Sequence, residues 1–220
     1  MKFDELSEKA KERARNLYRE EALSSDWWFD CAVEDFVDKM KSQYSITIDS
    51  RTVYFNVGYS QNDYVSFSIY DVPEQLVKPY LKEIADLASE EDRDLVYDAI
   101  QGVANDYCKL EIHSHGTSSY DIDWHEISDI IESLSDKMAI SDETYFNIYR
   151  KYEEIVERMG EDLCDQFAEE ARELYRNLCA ELDGLYDPAL IDDAIELMDL
   201  DYDEDGTLEA SKHYLLKRYN

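Results

Sequence analysis

The sequence predicts an α+β fold: one antiparallel β-sheet made of hairpins, with helices packed on one of its faces and a helix-rich C-terminal half. Three observations predict it. The period of the apolar residues switches from helical to alternating and back, twice along the chain. Where residues alternate they do so cleanly, so each strand has one apolar and one polar side, as a sheet with one wet face requires. Only 6 Gly and 3 Pro occur among 220 residues, which favours long helices over irregular loops. No linker or repeat divides the chain, and 1–220 reads as a single domain.

The elements follow in order. Asp4–Ala22 is an amphipathic helix, with Leu6, Ala10, Ala14, Leu17 and Tyr18 near one stripe and Ser7 as its N-cap. Ser24-Ser25-Asp26 caps a second helix carrying Trp27, Trp28, Cys31, Phe36 and Met40. Adjacent tryptophans belong more often to a core than to an interface. From Ile46 to Tyr70 the residues alternate: Ile46, Ile48, then Val53, Phe55, Val57 and Tyr59, and after a polar loop Val65, Phe67 and Ile69. Odd positions are apolar in both arms, and pairing must keep that parity, because a one-residue slip turns every side chain over. Pro73 and Pro79 begin a helix to about Leu87, and Ser89–Asp92 opens another to about Asn105.

A second hairpin follows. Cys108, Leu110 and Ile112 face one way, as do Tyr120, Ile122 and Trp124, joined by a short loop around Gly116-Thr117-Ser118. Glu126–Met138 is a helix. Ser141 caps a long one to about Leu182, where Gly160 is a point of breakage. Asp187-Pro188 starts a last helix to about Asp199, and Asp205-Gly206 marks a turn between Tyr202 and Leu208.

Charge bounds the function. The net charge is −31. Such a chain repels nucleic acid and anionic membranes, whose phosphates are bound by Lys and Arg, and is drawn to basic surfaces such as nucleic-acid channels. Cys31, Cys108, Cys164 and Cys179 form no C-x-x-C pair and have no zinc spacing, so they are expected to be reduced and packed as small apolar groups. Met1–Arg19 has no apolar signal core, and no apolar run nears the ~20 residues of a membrane span. A cytosolic protein is expected.

Four constellations of residues are candidates for chemistry. His113 and His115 share one strand face and could meet Asp121 and Asp123 across the hairpin as a weak metal set; a solvated outer face is the simpler reading. Asp201, Asp203 and Asp205-Gly206 match half of a calcium loop, but Lys212 stands where the bidentate Glu belongs, and a tight hairpin competes. Nucleophilic catalysis fares no better, since Cys108 and His113 point to opposite faces and Ser114 lacks an elbow. The acid itself remains. Gly160–Asp199 holds 13 acidic and 2 basic residues. Asp162, Asp165, Glu169, Glu170, Glu173 and Asp192 are the candidate partner-binding residues, because carboxylates spaced along a helix imitate a row of phosphates. A binding protein with no catalytic residue, no cofactor and no direct nucleic-acid contact is expected, with a homodimer compatible.

Phe3-Asp4-Glu5-Leu6-Ser7 with Ala10-Lys11-Glu12 and Ala14-Arg15, then Trp27-Trp28, Glu34-Asp35-Phe36, Val53-Tyr54-Phe55 and Ser60-Gln61-Asn62-Asp63, resembles a widespread family of bacteriophage proteins, sometimes labelled antitoxin-like. Asn62 and Tyr64 stand where that family commonly has Gly. The segment from Leu185 to Leu208 resembles the family's closing helix and hairpin. The resemblance implies a phage product in the bacterial host cytoplasm that inhibits a host defence factor, of the anti-CRISPR or anti-nuclease type, by binding a basic protein surface or by mimicking nucleic acid. The alternatives are an antitoxin-like protein that sequesters a basic partner and, behind it, a metal-dependent enzyme at the His113/His115 hairpin.

Overall fold

The computed structural model describes residues 1–25, 27–58, 62–70, 72–101, 108–122 and 125–208. It is α+β, as predicted. The helices in chain order are α1 (Glu8–Ser25), α2 (Asp30–Tyr44), α3 (Glu74–Ala85), α4 (Arg93–Ile100), α5 (His125–Asp136), α6 (Asp142–Tyr149), α7 (Tyr152–Gly184) and α8 (Pro188–Leu197), with 3-10 turns at Phe3–Glu5, Trp27–Phe29 and Ser50–Thr52. Four strands, β1 (Tyr54–Asn56), β2 (Tyr64–Ile69), β3 (Cys108–His113) and β4 (Ser119–Ile122), form one antiparallel sheet in that order. The chain packs as two compact units, one of Met1–Asp35, Val57–Tyr59 and Arg176–Asn220, the other of Phe36–Asn56 and Ser60–Tyr175. No helix among the described residues is long and apolar enough to cross a membrane.

In the first unit α1 is capped as the sequence implies: the Ser7 hydroxyl accepts from the Ala10 N–H at 3.3 Å. Its inner side is Ala10, Ala14, Tyr18 and Ala22, all buried. Small residues there allow close approach. Gly206 shows how close, since a Cβ on it would lie 2.1 Å from the Ala10 carbonyl oxygen, and its φ of +86° is itself a glycine conformation. Asp203–Gly206 is thus the tight turn of a hairpin, closed by a Gly206 N–H to Asp203 carbonyl bond of 2.9 Å and a Tyr202–Leu208 bridge. Of the two readings of this segment the hairpin is the one the structure displays, while Lys212 of the calcium-loop reading lies outside the described residues. Asp205 accepts from the Thr207 amide at 3.1 Å, the Thr207 hydroxyl at 2.7 Å and Arg13 at 3.0 Å, which holds its carboxyl below the usual range. Asp187 caps α8 by accepting from the Ala189 N–H at 2.9 Å, ahead of Pro188. Trp28 is half-buried, donates its indole N–H to the Glu181 carbonyl at 2.8 Å, and meets Tyr18 edge-on. Trp27 falls in a 3-10 turn rather than in the second helix.

In the second unit the predicted parity holds. Phe55 pairs with Val65, and Leu110 with Tyr120. Val65, Phe67, Ile69, Leu110 and Ile112 are buried, while Tyr64, Glu111 and Asp121 on the other face are exposed. Phe36 of α2 lies over the apolar face, 5.0 Å from the Phe67 ring. Strand β1 is shorter than the alternation predicts. Asp49 accepts from the Arg51 N–H at 3.0 Å and opens the 3-10 turn at Ser50–Thr52, so Ile46, Ile48 and Val53 are buried without being in a strand. Nor does Gly160 break a helix: α7 runs through it unbroken. A Cβ there would lie 2.5 Å from the Tyr120 ring, so glycine is the residue that seats α7 against β4. The break falls instead at Arg150 and Lys151, between α6 and α7.

Candidate acidic interface on helix α7

Residues 152–175 of α7 belong to the second unit. Ile155, Val156, Met159, Leu163, Phe167, Ala168, Ala171 and Leu174 recur every three or four positions and are buried. That pattern fixes which side of the helix faces out. The same 24 residues hold nine acidic and two basic side chains, so the outward side is negative.

Of the predicted residues, Asp162, Asp165, Glu169 and Glu173 are exposed on this helix. Asp162 accepts from the Tyr80 hydroxyl at 2.8 Å; burial, and then this carboxylate, push that phenol up to about 12. Glu169 takes Arg172 at 2.8 Å, and Glu173 takes Lys39 at 2.8 Å. Glu170 belongs to the interior. It accepts from the Tyr44 hydroxyl at 2.6 Å, its second oxygen lies 2.6 Å from the Lys39 ammonium, and its side chain is 11% exposed. That oxygen has no well-directed hydrogen bond, yet the ammonium beside it neutralises it. Glu170, and then Glu173, hold the Lys39 ammonium above its ordinary range. Asp192 lies in the first unit, clasped by Arg15 through Nε at 2.6 Å and Nη2 at 2.7 Å. Glu170 and Asp192 thus serve as internal anchors, and four of the six residues remain on an open face.

The structure adds Glu154, Glu157 and Glu161, which are exposed and, with Asp165, carry no ion pair among the described residues. The acidic stretch read from the sequence begins at Gly160, which leaves out Glu154 and Glu157 in the first turns of α7, and Glu161 lies inside that stretch but outside the six predicted residues. Glu154, Glu161, Asp165 and Glu169 fall within a quarter-turn of one another at ~100° per residue, with the last three roughly 6 Å apart along the axis. One DNA strand carries a charge every ~3.4 Å of axis, so this row has about half that density. Arg158 breaks the row and is bound at 2.5 Å by Glu83 of α3.

The histidine hairpin does not assemble. Asp121 pairs with Lys109, and Glu111 with Ser119, so His113 lies beyond the paired arms rather than opposite Asp121. The hairpin closes near its turn, where the His113 N–H donates to the Ser118 hydroxyl at 3.1 Å, and the other edge of β3 is tied to β2. The Ser114 N–H donates to the Val65 carbonyl at 2.9 Å, and the Ser114 hydroxyl accepts from the Val65 N–H at 2.8 Å. His115 turns its ring edge-on to Tyr175, with Nδ1 3.0 Å from the Ser114 hydroxyl. Ser114 is buried and already committed as an acceptor, so this contact locks a strand end rather than arming a nucleophile. Asp123 and Trp124 lie outside the described residues. Among the described residues no group of three His, Cys, Asp or Glu side chains could hold a metal ion. Cys31, Cys164 and Cys179 are free thiols. Cys164 is buried, which pushes it up to about 11, whereas Cys31 is exposed rather than packed.

What the α7 face can do chemically is attract cations, since it offers exposed carboxylates on an ordered helix. Compared with known proteins, the chain matches no family model, no curated protein and no solved structure.

Proposed function

We propose that this chain is a non-catalytic, phage-encoded binding protein of the host cytoplasm that inhibits a host defence factor by docking the α7 face onto a basic, nucleic-acid-handling surface. The observation that carries this reading is the row Glu154, Glu157, Glu161 and Asp165, exposed and unpaired among the described residues on one ordered helix. Fixed charges on a rigid element steer a basic partner and lose little entropy on docking. The phage origin rests on the sequence resemblance alone. The test is phage plating on bacteria that carry a nucleic-acid-cleaving defence system and express either the chain or Glu154→Gln/Glu161→Gln/Asp165→Asn. The native chain should restore plating and the variant should not. Equal plating with both, or no protection in any such system, would count against the proposal.

A further inference from the structure

Helix α6 carries an aromatic surface that the acidic interface does not use. Its inner side is fixed by Thr144 and Ile148, both fully buried. Thr144 donates to Asp92 at 2.6 Å, and the Ser141 hydroxyl donates to the same oxygen at 2.9 Å, so the orientation of the helix is set from below. On its outer side Phe146 is 62% and Tyr149 51% exposed. These rings are organised. Tyr145 stacks on Tyr149 at 5.6 Å and 25°, as their i, i+4 spacing allows; it meets Phe146 edge-on at 5.6 Å; and Tyr149 leans on Tyr152 at 6.3 Å. Just before α6, Met138 is 91% exposed at a φ of 51°, where a helix normally ends on glycine.

Charge decides between occupants. The segments that flank the rings are acidic: α5 carries Asp129, Glu132 and Asp136, α6 Asp142 and Glu143, and α7 opens with Glu153 and Glu154, against Lys137, Arg150 and Lys151. Of these, Glu132 and Asp136 act on Tyr145, and Glu153 lies at Tyr152. The field is felt at the rings: the Tyr145 hydroxyl is raised by burial, then by Glu132, Tyr149 and Asp136. A second copy would set −31 against −31. A partner's guanidinium suits both features. It stacks on a ring face through its plane, is attracted by the ring's electrons, and stays charged beside carboxylates. We infer that the Tyr145–Phe146–Tyr149 face of α6 is an arginine-reading surface, which takes guanidinium groups of a basic protein partner. This rests on the proposed function for the partner's charge, but not for its preference for arginine.

The probes are an arginine octapeptide and a lysine octapeptide, compared by calorimetry on the full chain. The native protein should bind the arginine peptide about fivefold more tightly than the lysine peptide, the scale of one or two exposed ring contacts. Phe146→Ala/Tyr149→Ala, both at exposed positions, should keep the native melt and bind both peptides equally, whereas Tyr149→Phe should keep the preference. Glu154→Gln/Glu161→Gln/Asp165→Asn should weaken both peptides alike and leave their ratio intact. If that triple variant has no effect while the ratio holds, the acidic-interface reading fails and this inference stands. An unchanged arginine preference in Phe146→Ala/Tyr149→Ala overturns the inference. So does sedimentation that shows a native dimer abolished by that variant, since the face would then belong to a second copy.

Discussion

The two units carry acid in nearly equal proportion, 22 acidic and 10 basic residues in the first and 31 and 12 in the second, and each pairs part of it with its own cations. The contrast lies between two regions, the acid that closes the first unit and the acid on the outward side of α7 in the second. In the first unit no Lys or Arg lies between Asn177 and Glu209, and the cations come from the N-terminal segment. Lys2 reaches Asp199 at 2.8 Å and Asp201 at 3.1 Å, Arg13 reaches Asp205 at 3.0 Å, and Arg15 clasps Asp192. Acid there fastens the start of the chain to its closing helix and hairpin. In the second unit the carboxylates of Glu154, Glu157, Glu161 and Asp165 point outward from α7 without such partners among the described residues. A carboxylate's meaning therefore depends on what the fold places beside it, and changes in single residues can test that dependence.

The largest effect should come from the closest contact of the first unit. Gly206→Ala forces a Cβ into the Ala10 carbonyl and keeps a left-handed φ. Backbone cannot swing away as a side chain can, so a loss of about 2–4 kcal/mol is expected in urea unfolding. Gly160→Ala meets only the Tyr120 ring, which can shift, and alanine gains helix propensity. Its loss should be smaller, about 1–2 kcal/mol. Equal losses would mean that the hairpin is not seated on α1 as closely as described.

Next in size is the clasp itself. Arg15→Met keeps the aliphatic packing but leaves Asp192 without its bidentate partner, and the two side chains are only 12% and 28% exposed. A loss of about 1–3 kcal/mol is expected, between the values for surface and buried pairs. Because the pair is shielded, the loss should persist in high salt, and a loss that vanishes there would reduce it to an ordinary surface contact.

Most of this fold was legible in the sequence. Hairpin parity was fixed by Phe55, Val65, Leu110 and Tyr120, because alternation leaves only one side for the core. The caps at Ser7, Ser141 and Asp187 were legible because each precedes a periodic run. Gly160 misled, since propensity cannot register that a ring on another element fills the space of its side chain. The register of the second hairpin was out of reach too, because alternation fixes which face is apolar but is satisfied equally by pairings shifted by two residues. For the candidate site, the helix that carries the acidic run was legible, but which of its carboxylates are free was not. Glu170 and Asp192 look like their neighbours until Lys39 and Arg15 come to meet them.

A smaller effect, read as a pH dependence, concerns acid used for structure in the second unit. Asp92 accepts from Thr144, from the Ser141 amide at 3.1 Å and from the Ser141 hydroxyl, which together hold its carboxyl at about 2. A carboxyl held low contributes stability that is complete above its unfolded value of about 4 and is lost as pH falls from there toward 2. Asp92→Asn should therefore be less stable than the native chain at neutral pH, and the gap should close as pH falls through that window. A gap independent of pH would show that the contribution is packing rather than ionisation.

The smallest change in stability is expected where the proposed function predicts the largest change in binding. On α7, Glu157, Glu161 and Asp165 follow one another at helical spacing with like charge, and each such neighbour pair opposes the helix by about 0.2–0.5 kcal/mol. Glu157→Gln/Glu161→Gln/Asp165→Asn should thus leave stability unchanged or raise it by up to about 1 kcal/mol, with the gain shrinking as salt screens the repulsion in the native chain. Removing one negative charge at Asp192 should do the reverse, since there the charge holds Arg15. If both removals destabilise, α7 has cations around it that the described structure does not place there, and its face is not available to a partner. If neutralisation on α7 stabilises while it abolishes partner binding, those carboxylates are retained at a cost to the fold, as residues serving recognition rather than folding would be.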